Sequence, residues 1–129
     1  MDSDILVVDD SAAIRKILTR VLRQTGMAIQ TIHEAGDGQE ALAVMALHRI
    51  DLVLSDINMP KIDGLQLLAS LKASPKWQEV PVVMITTEGG ETKVAEAVRL
   101  GAAGYVRKPF TADQIKEKLV RILEPAVAL

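Results

Sequence analysis

The segment Ile5-Leu6-Val7-Val8-Asp9-Asp10 places a short apolar run directly before two acids. Apolar runs also end at polar or charged residues in three later segments, residues 52–56, 82–86 and 105–108. Such runs are typical of strands that are buried on both faces of a parallel sheet. Ligands bind outside the carboxyl ends of the strands in such sheets. The sequence therefore predicts one site that gathers three acids, a hydroxyl and a lysine.

Helical periodicity separates these runs. After an N-cap at Ser11, apolar residues recur at the spacing of an amphipathic helix that closes near Thr25 and Gly26. Three more helices are predicted over about residues 39–48, 64–71 and 94–100. The capping-box sequence Thr111-Ala112-Asp113-Gln114 opens a fifth helix, which Pro125 ends.

Five strands alternate with these helices. They are predicted over residues 5–8, 31–35, 52–55, 80–85 and 104–106, the second being the weakest. Five strand–helix units imply an α/β fold, with a parallel sheet covered by helices on both faces through right-handed crossovers. The 129 residues suffice for one domain, and we expect neither a second domain nor an output domain.

Composition excludes several classes of protein. The chain has no cysteine, which excludes a disulfide framework, a thiolate metal site and a cysteine nucleophile. The net charge is −2 and the basic residues are dispersed, so a nucleic-acid partner is not expected. No apolar run approaches the roughly 20 residues of a membrane span, and the first residues are acidic where a signal peptide would be basic. We therefore expect a soluble cytoplasmic domain without membrane insertion.

The acids Asp9, Asp10 and Asp56 are candidates for a cation site. Three carboxylates brought together need either a raised pKa or a cation, and oxygen ligands suit Mg²⁺. An alternative is that Asp9 and Asp10 only cap the first helix. That alternative explains one acid at most, because Ser11 can fill the cap position.

Asp56 is also the candidate nucleophile. A carboxylate that attacks a phosphoryl donor forms an aspartyl phosphate, and the attack depends on positioning and charge neutralisation. Lys108 can supply a second positive centre beside the metal, and its place before Pro109 disfavours a helical backbone there. Thr86 directly follows an apolar run and is expected to bond a phosphate oxygen.

The ordered set of these residues resembles a response-regulator receiver domain over essentially the whole chain. The matching segments are Asp9-Asp10, Asp56 with Asn58-Met59-Pro60, Asp63-Gly64, Thr86 and Lys108-Pro109-Phe110. The resemblance implies a flavodoxin-like, doubly wound fold with strand order 2-1-3-4-5. It also implies that a histidine kinase phosphorylates Asp56 and that Thr86 and Lys108 contact the phosphoryl group. Asp10, Asp56 and the Asn58 carbonyl would bind Mg²⁺, with Asp9 acting through water.

Within this family the chain is most similar to single-domain chemotaxis regulators of the CheY type, in residues 55–60 and 101–111. Asn58 and Glu88 match a pairing associated there with short-lived phosphorylation. Ile57 stands where such regulators often have tryptophan, and Thr87 stands where they usually have alanine. The implied partners are a CheA-like histidine kinase, a phospho-specific target such as the flagellar motor switch, and a phosphatase. Such a regulator catalyses its own phosphorylation and dephosphorylation and is a signalling phosphoprotein.

The expected switch joins the site to a partner-binding face. Gly89-Gly90 makes the loop after Thr86 permissive, so the loop can take two arrangements. The resemblance suggests that Tyr105 turns inward when Thr86 moves, which reshapes a face made by helix 4, strand 5 and helix 5. Thr87 and Glu88 are placed with this switch. The alternative for Tyr105 is simple packing at a strand edge.

Several other functions compete with this interpretation. An aspartate-nucleophile phosphatase needs a second acid two residues after the nucleophile, where this chain has Asn58. A flavodoxin would not place Asp9 and Asp10 beside a flavin phosphate. A docking receiver that is never phosphorylated would not need all five site residues. Within the receiver family, the alternative is a phosphorelay intermediate that passes the group to a histidine-phosphotransfer protein. Helices 4 and 5 could also support a dimer.

Overall fold

The computed structural model describes residues 3–59, 61–86 and 91–123 and shows five strands that alternate with five helices. The strands are β1 (Ser3–Val8), β2 (Ile29–Ala35), β3 (Leu52–Asp56), β4 (Val82–Thr86) and β5 (Gly104–Arg107). The helices are α1 (Ala12–Gln24), α2 (Gly38–Leu47), α3 (Gly64–Lys72), α4 (Glu91–Arg99) and α5 (Ala112–Leu123). The predicted strand–helix repeat is therefore confirmed.

The five strands form one parallel sheet in the order β2-β1-β3-β4-β5, as the resemblance implied. Val8 of β1 pairs with Ser55 of β3, and Asp56 pairs with Ile85 of β4. This register ends neighbouring central strands within one residue of each other. Polar residues that follow the apolar runs therefore emerge at the same edge of the sheet.

Two apolar cores cover the two faces of the sheet. Alternate residues of each central strand point to opposite faces, and α1 and α5 cover one face while α2, α3 and α4 cover the other. The first core includes Ile5, Val7, Leu54, Leu18 and Ile115. The second includes Leu6, Val8, Val53, Leu68 and Ala97. The buried side chains of both cores are aliphatic, with methionine added in the second core, as the scarcity of aromatic residues requires.

Side-chain caps define the starts of four helices. Ser11 caps α1 as predicted, with its Oγ accepting a hydrogen bond from the Ile14 amide at 3.3 Å. Asp37 caps α2, and Asp63 caps α3 through a capping box with Gln66 that the sequence analysis did not identify. The capping box at Thr111 and Gln114 is confirmed, with bonds of 2.9 and 3.2 Å.

Some boundaries differ from the predicted ones. β2 begins at Ile29, two residues earlier than expected, and β4 begins at Val82 and not at residue 80. Pro81 explains the later start of β4, because proline has no N–H to donate to a sheet. The second helix ends at Leu47, and His48 is its C-cap with an extended backbone. No helix in the described part of the chain is long and apolar enough to cross a membrane.

Candidate functional site

The carboxyl edge of the sheet brings three carboxylates together. Asp9, Asp10 and Asp56 each offer one oxygen, and these oxygens lie within 4.8 Å of one another. Asp9 is 1% exposed, Asp56 is half-buried, and Asp10 faces solvent. Oxygen-only ligands of this kind, with room for water on the Asp10 side, fit a small divalent cation such as Mg²⁺. The helix-cap alternative explains none of this convergence, because Ser11 fills the cap.

Asp9 is held in place by its own loop and by α1. One carboxylate oxygen, Oδ1, accepts a hydrogen bond from the Ser11 amide at 2.9 Å. The Asp9 carbonyl accepts a hydrogen bond from Arg15 Nη1 at 2.5 Å, and Arg15 also pairs with Glu34 of β2 at 3.0 Å. Arg15 thus fixes the loop that carries Asp9 and Asp10. No sequence signal indicates this role, because helical spacing does not reveal a contact with the preceding loop.

Asp56 ends β3 between the other acids and Lys108. Its Oδ1 accepts a hydrogen bond from the Ile57 amide at 2.9 Å and lies 3.9 Å from Lys108 Nζ. Burial raises the pKa of the Asp56 carboxyl above its ordinary value, and the charges of Asp9 and Asp10 add to this effect. The Lys108 charge and the Ile57 amide oppose it. Without a bound metal ion, the ionised form of Asp56 is therefore less favoured than that of an exposed aspartate.

Lys108 follows β5 and reaches back to the acids. Its Nζ lies 3.5 Å from Asp9 Oδ2, and its side chain is 22% exposed, so it is not a solvated surface lysine. The Lys108 amide donates to the Thr86 carbonyl at 2.7 Å, which ties the ends of β4 and β5 together. The Lys108–Pro109 peptide bond is cis. Thr86 is buried at the end of β4, next to the strand that bears Asp56.

The junction between β3 and α3 lies directly beside Asp56. Gly64 begins α3 where its amide donates to the Ile57 carbonyl at 2.8 Å. A Cβ at Gly64 would lie 2.8 Å from Ile57 Cα and would overlap the Asp56 carbonyl oxygen. Only glycine therefore allows α3 to pack this closely behind the nucleophile candidate.

Asn58 lies in the same loop and makes a contact that the sequence did not reveal. Its Oδ1 accepts a hydrogen bond from Lys93 Nζ of α4 at 2.5 Å. Both residues are exposed. No sequence signal indicates this pair, because the two residues are 35 positions apart and each alone reads as an ordinary surface residue.

The predicted switch residues are only partly described. Tyr105 lies on β5, is 38% exposed, and has Lys118 Nζ of α5 at 5.5 Å from its ring centroid. Tyr105 and Lys118 line a surface groove with Arg107, Gln114 and Arg121. Thr87, Glu88 and the Gly89-Gly90 pair lie outside the described residues, as does Pro60.

Comparison with known proteins identifies the family. The family model for the response regulator receiver domain matches residues 5–120. The chemotaxis protein CheY-3 of Vibrio cholerae is 40% identical over 120 residues, which are 93% of this chain and 91% of that protein. The chemotaxis protein CheY of Pseudomonas aeruginosa is 38% identical over 93% of this chain and 95% of its own length.

Solved structures agree with this assignment. The crystallised Vibrio cholerae chemotaxis response regulator CheY4 superimposes with a TM-score of 0.84 at 32% identity, covering 95% of this chain and all of that chain. The sheet order, the acidic edge and these sequence matches agree with one another, and the chain belongs to the response regulator receiver family.

Proposed function

We propose that the protein accepts a phosphoryl group on Asp56 from a histidine kinase and that this event controls binding of a partner protein. The observation that carries the proposal is the position of the Asp56 carboxylate, which lies among Asp9, Asp10 and Lys108 at the carboxyl edge of the sheet. In the reaction, an Asp56 oxygen forms a bond to phosphorus. The bond from phosphorus to the donor histidine nitrogen breaks, and the imidazole leaves with the electron pair.

The acidic residues would hold Mg²⁺ for this reaction. Asp10, Asp56 and the Asn58 carbonyl are the proposed direct ligands, with Asp9 acting through water. When bound, Mg²⁺ supplies positive charge between the carboxylate and the incoming phosphoryl group, which would otherwise repel each other. Lys108 contributes a fixed positive charge 3.9 Å from Asp56 Oδ1. The site can thus catalyse its own phosphorylation, and water attack on phosphorus would reverse it.

The energy of two contacts is of the order that a switch needs. Hydrogen bonds to charged groups contribute about 1.5–3 kcal/mol each, so bonds from Thr86 and Lys108 to the phosphoryl group would supply about 3–6 kcal/mol. Reversal of a 1:99 population needs about 5.5 kcal/mol. The Lys108 amide donates a hydrogen bond to the Thr86 carbonyl, so a shift of Thr86 would also displace the end of β5. Through Tyr105, that shift would reach the face formed by α4, β5 and α5.

The similarity to chemotaxis proteins supports a role in chemotaxis. Two relatives at 38–40% identity are named as chemotaxis proteins, and this chain covers more than nine-tenths of each. We infer a cytoplasmic regulator that receives its phosphoryl group from a CheA-like kinase. Its partner would be the flagellar motor switch, and a phosphatase would shorten the signal.

Phosphotransfer from a radiolabelled kinase tests this role. A CheA-type histidine kinase is first phosphorylated on histidine and then mixed with the native chain or with Asp56→Asn in the presence of Mg²⁺. We expect rapid transfer of the label to the native chain and none to the variant. Equal labelling of the variant would exclude Asp56 as the acceptor. Transfer only from kinases unrelated to chemotaxis would exclude the chemotaxis role, and onward transfer to a histidine-phosphotransfer protein would favour a phosphorelay intermediate.

A further inference from the structure

Lys93 connects the first part of α4 to the loop that follows Asp56. Its Nζ donates to the side-chain oxygen of Asn58 at 2.5 Å, two residues beyond Asp56. The contact therefore joins α4, which is part of the candidate partner face formed by α4, β5 and α5, to the loop beside the candidate site. A lysine ammonium is flexible on its four-carbon stem and can donate three hydrogen bonds, so this contact can be exchanged for another nearby.

The present acceptor carries no charge. The Asn58 amide oxygen is neutral, whereas a phosphoryl oxygen carries negative charge and would add a direct Coulombic attraction to the Lys93 ammonium. A phosphoryl group on Asp56 would be attached two residues before Asn58, beside the loop that Lys93 contacts. A move of the Lys93 ammonium from the amide to the phosphoryl group would therefore lower the free energy.

Mg²⁺ and Lys108 together would not balance the negative charge of the phosphorylated site. Asp9 and Asp10 would each carry a negative charge, and the phosphoryl group would carry about two. Mg²⁺ and Lys108 would supply three positive charges, so about one negative charge would be unmatched. Arg15 is also near, but its guanidinium is paired with Glu34 at 3.0 Å. Lys93 already contacts the loop that follows Asp56.

We propose that Lys93 is a third ligand of the phosphoryl group, beside Thr86 and Lys108. On phosphorylation its ammonium leaves the Asn58 amide and bonds a phosphoryl oxygen, which draws the start of α4 toward the site. This inference rests on the proposed phosphorylation of Asp56. It adds a direct connection between the phosphoryl group and α4 that does not pass through Thr86 or Tyr105.

Beryllofluoride binding tests the role of Lys93. Beryllofluoride with Mg²⁺ occupies the position of the phosphoryl group on the carboxylate without a chemical step, and its dissociation constant can be measured by titration. The variants are Lys93→Gln, which removes the charge, and Lys93→Arg, which keeps it. Lys76→Gln is the matched control. It makes the same change of net charge on an exposed lysine in the connector between α3 and β4, at the opposite edge of the sheet.

We expect Lys93→Gln to weaken beryllofluoride binding by about tenfold, because the neutral glutamine amide lacks the charge attraction that the ammonium gains when it leaves Asn58. Lys93→Arg should recover most of the affinity, and Lys76→Gln should bind like the native chain. Thermal unfolding of the unliganded variants should match that of the native chain, because Lys93 is exposed. Equal affinities of Lys93→Gln, Lys76→Gln and the native chain would overturn the proposal. If the native chain itself bound no beryllofluoride, the proposed phosphorylation would fail, which is a separate outcome.

Discussion

At the scale of single residues, Asp56 lies where its surroundings oppose its charge. Burial and two neighbouring acids raise its pKa, and Lys108 compensates only in part. This is the condition expected of a group that works with a bound cation, because the cation would remove the conflict. When no metal ion is bound, the charge of Asp56 should therefore lower the free energy of unfolding of the native chain.

We expect Asp56→Asn to raise the free energy of unfolding at neutral pH without Mg²⁺. The pKa of Asp56 is higher in the folded chain than its ordinary value of 3.8, so the folded chain binds more protons between these two values. The contribution of Asp56 to stability therefore falls as pH rises through that interval, and asparagine lacks this fall. Urea unfolding of both proteins over a pH series measures the difference.

The control for this prediction is Mg²⁺ itself. Binding to the folded state should stabilise the native chain by mass action and stabilise Asp56→Asn less. The advantage of the variant should also disappear as pH falls toward 3.8, where the unfolded carboxyl takes up its proton. A variant that is less stable than the native chain at neutral pH without Mg²⁺ would contradict the assignment.

At the scale of elements, the junction of β3 and α3 sets the position of Asp56. Gly64 lets the helix start directly behind the strand end, and Asp63 with Gln66 caps that helix. The Gly64 amide bonds the Ile57 carbonyl, so the junction is held by backbone contacts. Changes in this turn should therefore affect both stability and phosphorylation.

Gly64→Ala should destabilise the protein by about 1–3 kcal/mol, as overpacking does. A new Cβ would overlap the Asp56 carbonyl oxygen and press on Met84 Cε at 2.9 Å, so phosphorylation from acetyl phosphate should slow as well. Thermal unfolding and the phosphorylation rate are the two measurements.

Gly36→Ala is the matched control for this substitution. A Cβ there comes closest to a Glu40 carboxylate oxygen, at 3.0 Å, and that flexible side chain can move. Gly36→Ala should therefore be tolerated, and an equal loss in both variants would show that the packing behind Asp56 has no special role.

The elements were largely predictable because their signals are local. Ser11, Thr111 and Gln114 mark helix starts, and the apolar runs mark strands whose carboxyl ends carry the site. The contact of Lys93 with Asn58 and that of Arg15 with the Asp9 carbonyl were not predictable. Each depends on how separate elements pack, and a sequence pattern along one element does not contain that information.

At the scale of the whole molecule, the site and the candidate partner face share the ends of β4 and β5. The Lys108 amide joins the ends of the two strands. Tyr105 lies on β5, three residues before Lys108. A change at the phosphoryl group can therefore reach the surface within one strand, without rearranging the two cores.

Tyr105→Ala should leave phosphorylation of Asp56 intact and weaken phospho-dependent binding of the partner. The side chain lies near the surface beside Lys118 and contributes nothing to the acidic cluster. Tyrosines at the centre of an interface often contribute about 2 kcal/mol, which is a loss of about thirtyfold in affinity. Titration of the phosphorylated native and variant chains with the partner measures this loss of affinity. Unchanged affinity would remove Tyr105 from the switch.

The most direct test of phosphorylation at Asp56 is the intact mass of the protein after incubation with acetyl phosphate. The native chain and Asp56→Asn are compared with and without Mg²⁺, and beryllofluoride binding is measured under the same conditions because a short-lived adduct can escape detection. We expect one added phosphoryl group on the native chain only, and only with Mg²⁺. Absence of both the adduct and beryllofluoride binding, or an adduct on Asp56→Asn, would contradict the assignment of Asp56 as the acceptor.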